Sequence, residues 1–322
     1  MVEVVALGEL LIDFTTEKKD MYGYPTMSAH PGGAPANFLA ALSKLGTETA
    51  FIGKVGEDSF GYILKDTLEK AGICTKGLIF DPFHFTTLAF VTLNEKGDRE
   101  FSFSRKPGAD TFLSFPEVNY DLINEAKYLH FGSLSLTDEP SRTAVVMAVT
   151  EAKRHGTLIS YDPNLRLSLW YDTQEAKEQL LWGLKQADVV KISHDELKFL
   201  FGLDPEEGAE HIIKEYKNIK LCYVTCGDKG TYFINKSCAG FVPAVKGLKV
   251  IDTTGAGDIF GGSAMFALLG TKKAPEELTE DELEQIVRFA SAAAGLSTER
   301  IGGISSVPAL EEVLSKMKEE YK

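Results

Sequence analysis

Short apolar runs alternate with helical periodicity along most of this chain. Residues 2–7 are apolar but for Glu3 and stop at Gly8, which predicts a buried strand. Residues 38–46 repeat apolar positions at helical spacing and close on a glycine. A strand is expected at 49–55, a helix at 60–71 and a strand at 77–80. This order favours a parallel sheet with helices on both faces. The rhythm breaks at 86–93 and 99–104, two alternating strands joined by Asn94-Glu95-Lys96-Gly97-Asp98, a segment with hairpin-turn chemistry. Residues 15–30 are polar, contain tyrosines and show no strong period. Residues 10–30 are expected to pack with the hairpin as a small β-sheet over the carboxyl end of the main sheet.

After Pro107 the alternation resumes. Strands are expected at 127–131, 157–161, 187–192 and 221–225, and helices at 141–154 and 173–186. Residues 231–235 and 239–242 have the look of antiparallel edge strands. A further strand is expected to end at 248–250, just before a helix that runs through residue 268. Long helices follow over 280–298 and from about 309. The expected organisation is an α/β core of residues 1–9, 31–82 and 107–322, with a β lid made of 10–30 and 83–106. Phe101 and Phe103 give the hairpin one apolar face, which needs the core, a ligand or another subunit against it.

Composition narrows the function. A chain of 322 residues holds one large α/β domain or two modest ones. Its 34 basic and 47 acidic residues give a formal charge of −13, a poor match to nucleic acid or an anionic membrane. Any anion site must therefore be local. Cys74, Cys222, Cys226 and Cys238 lack zinc spacing and read as free thiols in a reducing compartment. Neither a basic leader nor a membrane-length apolar run is present, so the expected location is cytoplasmic.

The stretch Asp252-Thr253-Thr254-Gly255-Ala256-Gly257-Asp258 carries the sharpest chemistry. A Gly-Ala-Gly turn at a helix start leaves backbone N–H groups without intrahelical partners, which suits a phosphate. Asp258, in the first helical turn, is either a dipole-matched structural carboxylate or a base beside that site. Asp13, Asn164 and Arg166 follow the ends of strands, where open α/β sheets bind ligands. Gly32 and Gly33 precede a helix and allow close backbone approach, as a plain tight turn also would. Ser193 and Glu196 form a capping box, and a carboxylate there can also order water around a metal ion. The glycines of residues 226–230 leave room for a flat ligand. The small residues of 290–295 permit close helix packing or wall an adenine slot.

Gly32-Gly33-Ala34-Pro35-Ala36-Asn37 and residues 252–258, in this order and with a hairpin inserted between them, resemble the ribokinase or PfkB-type sugar kinases over essentially the full length. Residues 8–13, 88–93, 132–136 and 161–166 are most similar to fructokinases. The resemblance implies ATP-dependent phosphorylation of a sugar hydroxymethyl group. It makes Asp258 the general base and Gly255, Ala256 and Gly257 the anion hole, with Arg166 steadying the transferring group. Asp13, Gly32, Gly33, Asn37, Phe101, Arg105, Asn164 and Arg166 are then placed with the sugar. Ser193, Glu196, Thr225, Gly227, Gly230, Gly257 and Ser291 are placed with ATP, and Glu196 with Mg²⁺ through water. Ser193 stands where relatives carry Asn, and Ser133 where ribokinases carry a sugar-contacting Glu, which disfavours ribose. Asp252, Thr254, Ser297, Arg300, Gly302 and Ser306 match a monovalent cation site, for K⁺. A homodimer through the lid is expected, with no nucleic acid or membrane partner.

Three alternatives stay open at this point. A 2-keto-3-deoxygluconate kinase would use Arg105, Lys106 and Arg166 for its acidic substrate. A sugar or nucleotide sensor would keep the fold without catalysis. A Rossmann dehydrogenase lacks its Gly-x-Gly-x-x-Gly at the first βα turn.

Overall fold

The computed structural model describes the backbone at residues 2–93 and 99–321, with side chains outside 93–101. The hairpin turn at 94–98 and the Phe101 side chain therefore lie outside the described residues. The first half of the chain supplies β1 (Val4–Leu7), β2 (Leu11–Lys19), β3 (Pro25–Gly32), β4 (Thr49–Gly56), β5 (Cys74–Asp81), β6 (Leu88–Leu93) and β7 (Arg99–Ser104). The second half supplies β8 (Tyr128–Gly132), β9 (Leu158–Asp162), β10 (Val189–Ser193), β11 (Leu221–Thr225), β12 (Gly230–Asn235) and β13 (Ala239–Pro243). Helices are α1 (Ala34–Leu45), α2 (Ser59–Lys70), α3 (Tyr120–Glu125), α4 (Ser141–His155) and α5 (Thr173–Gln186). They continue as α6 (His194–Phe201), α7 (Pro205–Glu215), α8 (Ala256–Thr271), α9 (Glu280–Ser297) and α10 (Leu310–Glu320).

Nine strands form the main sheet in the order β13-β12-β11-β10-β9-β8-β1-β4-β5. From β5 to β11 every pairing is parallel, and β12 and β13 add an antiparallel edge. β1 lies between β4 and β8, with Val4 opposite both Thr49 and Tyr128, and all four of its residues are buried. Such two-sided burial explains its unbroken apolar run. One apolar layer holds Phe38, Leu42, Met265 and Phe289 from α1, α8 and α9. The other holds Val145, Leu180, Leu197 and Ile212 from α4 to α7. This is the mixed α/β architecture expected, with a separate small sheet.

That small sheet runs β3-β2-β6-β7. β2 pairs antiparallel with β3 but parallel with β6, Ile12 facing Leu88, so two distant hairpins are joined edge to edge. The polar segment at 15–30 is thus strand over most of its length. Its outer positions alternate too weakly for a period to show, because only the inner end of β2 is buried. Phe14 stacks on Phe90 at 5.3 Å and meets Phe60 of α2 edge-on at 5.7 Å.

Asp58 ties this sheet to the core. As the N-cap of α2 it accepts the Phe60 and Gly61 N–H groups at 2.9 Å. It also accepts the Thr86 N–H at 2.8 Å and the Thr86 hydroxyl at 2.9 Å, just ahead of β6. At the far end, Arg105 leaves β7 to donate to Asp110 at 2.7 Å.

Residues 248–250 are not a strand. Leu248 lies against Gly295 of α9, Val250 is 60% exposed, and the Ile251 and Asp252 N–H groups both donate to Thr298 O. The segment's apolar residues cover the end of a helix instead of joining the sheet. α3 and α7, absent from the sequence expectation, are short helices that cover the second apolar layer.

Replacing Asp58 removes a helix cap and a strand anchor together. Asp58→Ala is expected to lower stability by about 2–3 kcal/mol in urea unfolding, more than a cap alone contributes.

Candidate active site

The candidate site forms where α1, α8 and the turn at 302–303 meet above the carboxyl ends of the central strands. α1 starts at Ala34, so Asn37 sits in its first turn. Gly33 precedes it at φ 117, and a Cβ there would lie 2.5 Å from Glu9 O. Only glycine fits that close approach. Gly255 caps α8 at φ 75, and a Cβ there would lie 2.9 Å from the Gly303 Cα. Asn37 Nδ2 donates to Asp258 Oδ2 at 2.9 Å, joining the two helix starts across the chain.

Two cavities meet at this point. The first, about 420 Å³, is lined by Glu9, Asp13, Gly33, Asn37, Phe103, Asn164, Arg166, Gly255 and Asp258, among others. The second, about 450 Å³, is lined by Thr225, Gly227, Gly230, Ala256, Gly257 and Ser291, with Val245, Leu248 and Val250 as an apolar wall. Thr253 borders both. The α8 start therefore turns Gly255 and Asp258 to one cavity and Ala256 and Gly257 to the other. Orphan N–H groups at that start, with the helix dipole behind them, favour an anion in between.

The electrostatics are strongly acidic. Burial pushes the Asp258 carboxyl above the usual aspartate range, against the pull of Lys191, the Asn37 hydrogen bond and Arg166. Burial raises Asp13 to about 7; Arg166 opposes the shift, and Asp258 and Asp252 add to it. Lys191 Nζ donates to Asp162 Oδ2 at 2.9 Å. Burial disfavours its ammonium, but Asp162, Glu196 and Asp258 outweigh burial and hold its pKa above the ordinary lysine value. A Cβ on Gly257 would lie 3.0 Å from that Nζ, which puts the ammonium beneath the Gly-Ala-Gly turn.

Other expected residues fall as follows. Gly32 ends β3 beside the Asp13 carboxylate. Asn164 adopts a left-handed φ of 44, and its N–H donates to Asp162 at 3.2 Å, which fixes the loop that carries Arg166. Ser193 and Glu196 do form the capping box, and the second Glu196 oxygen accepts the Leu165 N–H at 2.7 Å. Glu196 is buried, and both of its oxygens are committed, one to Leu165 and the other to Ser193. Gly227 and Gly230 both take positive φ in the turn after β11.

Arg105 is not brought to either cavity. Its guanidinium is buried and donates to Asp110, to Thr137 Oγ1 at 2.7 Å and to Leu134 O at 2.9 Å. Through Leu134 it braces a wall of the first cavity, and its buried donors are met.

Asp252, Thr254 and Gly302 do come together. Asp252 accepts the Thr254 N–H and hydroxyl at 2.9 and 2.7 Å and the Gly302 N–H at 2.9 Å. Ser297 and Ser306 donate their hydroxyls to Ala294 O and Gly303 O, and Arg300 pairs with Glu312. A cation near these residues would meet backbone carbonyls, as alkali ions accept. Among the described residues, no group of three or more His, Cys, Asp or Glu side chains is placed to hold a metal ion. The same holds for membranes: no helix among them is long and apolar enough to cross one.

Two residues escaped the sequence reading. Lys191 was visible as the one charge inside the strand Val189–Ser193, two residues before the capping box. Glu9 was visible only as a polar residue following a fully buried strand.

The comparisons with known proteins agree with this geometry. The description "pfkB family carbohydrate kinase" matches residues 1–310. Fructokinase-2 of Solanum lycopersicum is 41% identical over 317 residues, 98% of this chain and 96% of that protein. Fructokinase of Xylella fastidiosa with bound ATP superposes with a TM-score of 0.90 at 29% identity, covering 100% of both chains. Fructokinase of Vibrio cholerae, in its fructose, ADP and calcium ion bound form, gives 0.86 at 32% identity over 98% of this chain and 99% of that one. With two cavities sharing one glycine-rich helix start, and with likeness of this extent, the chain belongs to the pfkB family of carbohydrate kinases and is an ATP-dependent sugar kinase.

Proposed function

We propose that the enzyme converts D-fructose to fructose 6-phosphate with ATP as the phosphoryl donor. The observation that carries this reading is the α8 start, which lines one cavity with the Asp258 carboxylate and the other with Ala256 and Gly257 at the positive end of the helix dipole. Phosphoryl transfer needs positioning and charge stabilisation more than covalent chemistry. Asp258 takes the proton from the sugar's primary hydroxyl. The hydroxyl oxygen then bonds to the γ-phosphorus in line with the bond to ADP that breaks. The amides of Gly255, Ala256 and Gly257, with Arg166 on one side and Lys191 beneath, stabilise charge on the transferring group. Mg²⁺ beside Glu196 supplies neutralisation of the nucleotide phosphates. Asp252, Thr254 and Gly302, with carbonyls of the neighbouring turn, form the proposed K⁺ site.

Fructose is favoured over 2-keto-3-deoxygluconate by the charge of the first cavity. Glu9, Asp13 and Asp258 line it against Arg166. Arg105 is spent on Asp110, and Lys106 is exposed. An acidic sugar would bring its carboxylate among three others. A neutral ketose meets the same groups as hydrogen-bond partners.

The small sheet acts as a lid, with Phe103 reaching the first cavity, and limits water at the transferring phosphoryl group. Met21, Tyr22, Tyr24, Phe83 and Phe85 are each more than two-thirds exposed in or beside this sheet, which supports pairing with a second copy of the chain. Four free cysteines support a reducing compartment such as the cytoplasm.

A coupled ADP-release assay over a sugar panel, with and without K⁺, is expected to give the highest turnover with fructose and little with 2-keto-3-deoxygluconate. Absence of turnover on fructose would sink this choice of sugar. Asp258→Asn should bind sugar and nucleotide in calorimetry yet lose turnover by roughly 10²- to 10⁴-fold. Because the Asp258 pKa is raised, turnover should fall as pH drops through a midpoint above that of an ordinary aspartate. Lys191→Met leaves Asp162, Glu196 and Asp258 without their shared counter-charge. Carboxylates so exposed to one another are penalised only once ionised, so its loss of stability should be larger at pH 8 than at pH 5. Equal losses at the two pH values would contradict that account.

A further inference from the structure

Glu9 lies two residues past the end of β1 and is only 2% exposed. Its Oε1 accepts the Ala34 N–H at 3.0 Å. That bond has a structural reason: Gly33 caps α1 without a side chain, so Glu9 serves as a cap from outside the helix. Oε2 has no such reason. It is buried and makes no hydrogen bond among the described residues. The nearby guanidinium, Arg105, is committed to Asp110, Thr137 and Leu134. A buried polar atom without a partner is costly, and a native protein keeps one where a ligand or water completes it. Glu9 also lines the first cavity, with Asp13, Asn37 and Asp258.

We propose that Glu9 is a substrate-binding residue whose Oε2 hydrogen-bonds a hydroxyl of the sugar, while Ala34 holds Oε1 in place. This rests on the reading of the first cavity as the site of a neutral sugar. The hydroxyl it reads is one other than the phosphorylated one, which belongs to Asp258. Burial raises the Glu9 carboxyl to about 7; its backbone hydrogen bonds and Arg105 oppose the shift, and Asp110 adds to it. Near neutral pH the group can therefore donate a proton to a hydroxyl oxygen or accept one from a hydroxyl. A sugar hydroxyl satisfies either form, whereas the carboxylate of a sugar acid satisfies only the protonated one. Glu9 thus adds a selection for neutral polyols that Asp258 alone does not provide.

The test is a cycle between enzyme variants and monodeoxy sugars, read by ADP release. Glu9→Ala is expected to raise the KM for fructose by roughly 10- to 100-fold, with the KM for ATP within about twofold of wild type. The deoxy analogue that lacks the hydroxyl read by Glu9 should be penalised in the wild type and carry no further penalty in Glu9→Ala. Equal penalties in both enzymes at every position would overturn the assignment, as would an unchanged KM for fructose. Should Glu9→Ala fold poorly, Glu9→Gln decides. It keeps the Ala34 contact through its amide oxygen. Its ligand-free melting temperature should stay near wild type while the rise on adding fructose shrinks, and an undiminished rise would count against the proposal. Wild-type inactivity on fructose is a separate failure, that of the proposed substrate. The cycle is then run with the sugar that the panel identifies.

Discussion

Asp162, Glu196 and Asp258 converge on one buried ammonium, that of Lys191. Burial and the repulsion between neighbouring carboxylates hold Asp162 and Asp258 above the usual aspartate range. The amino end of α8 and the amide of Asn37 offset part of that repulsion, and Lys191 offsets more. Lys191 reaches them only because it is carried on β10, between β9, which brings Asp162, and β11. Phosphates added to such a site bring more negative charge than one lysine can answer.

Backbone closeness is the second requirement. α1 and α8 start within hydrogen-bond reach of each other, although 221 positions separate Asn37 from Asp258. The contact leaves no room for a Cβ at Gly255 or Gly303. Small residues there do not loosen the site; they bring two rigid helix ends together. Rigid elements then hold the reacting groups, while the loop carrying Asn164 and Arg166 is fixed through Asp162 and Glu196. A catalytic constellation built in this way needs little reordering when its ligands arrive.

Much of this was legible in the sequence, because the fold's strands are buried on both faces and read as apolar runs. The capping box at Ser193 and the glycine turn at 255–257 were legible for a different reason: their geometry demands particular residues. Arg105 misled, since a cation near a lid strand looks available until its neighbours are known, and Asp110 lies only five positions on. The apolar residues at 248–250 misled as well, because a run of that kind packs equally well on a helix end. Lys191 and Glu9 were passed over because a single charge in or after an apolar strand says nothing about which face it takes. Their roles come from tertiary neighbours that no local pattern encodes.

The parallel pairing of β2 with β6 has a consequence for how the molecule is assembled during synthesis. Neither hairpin of the small sheet is stable alone, and each waits for the other. The sheet's four strands are complete by residue 104, while the walls of the second cavity come from residues 225–298. A growing chain therefore completes the small sheet before the residues that line the second cavity have been made.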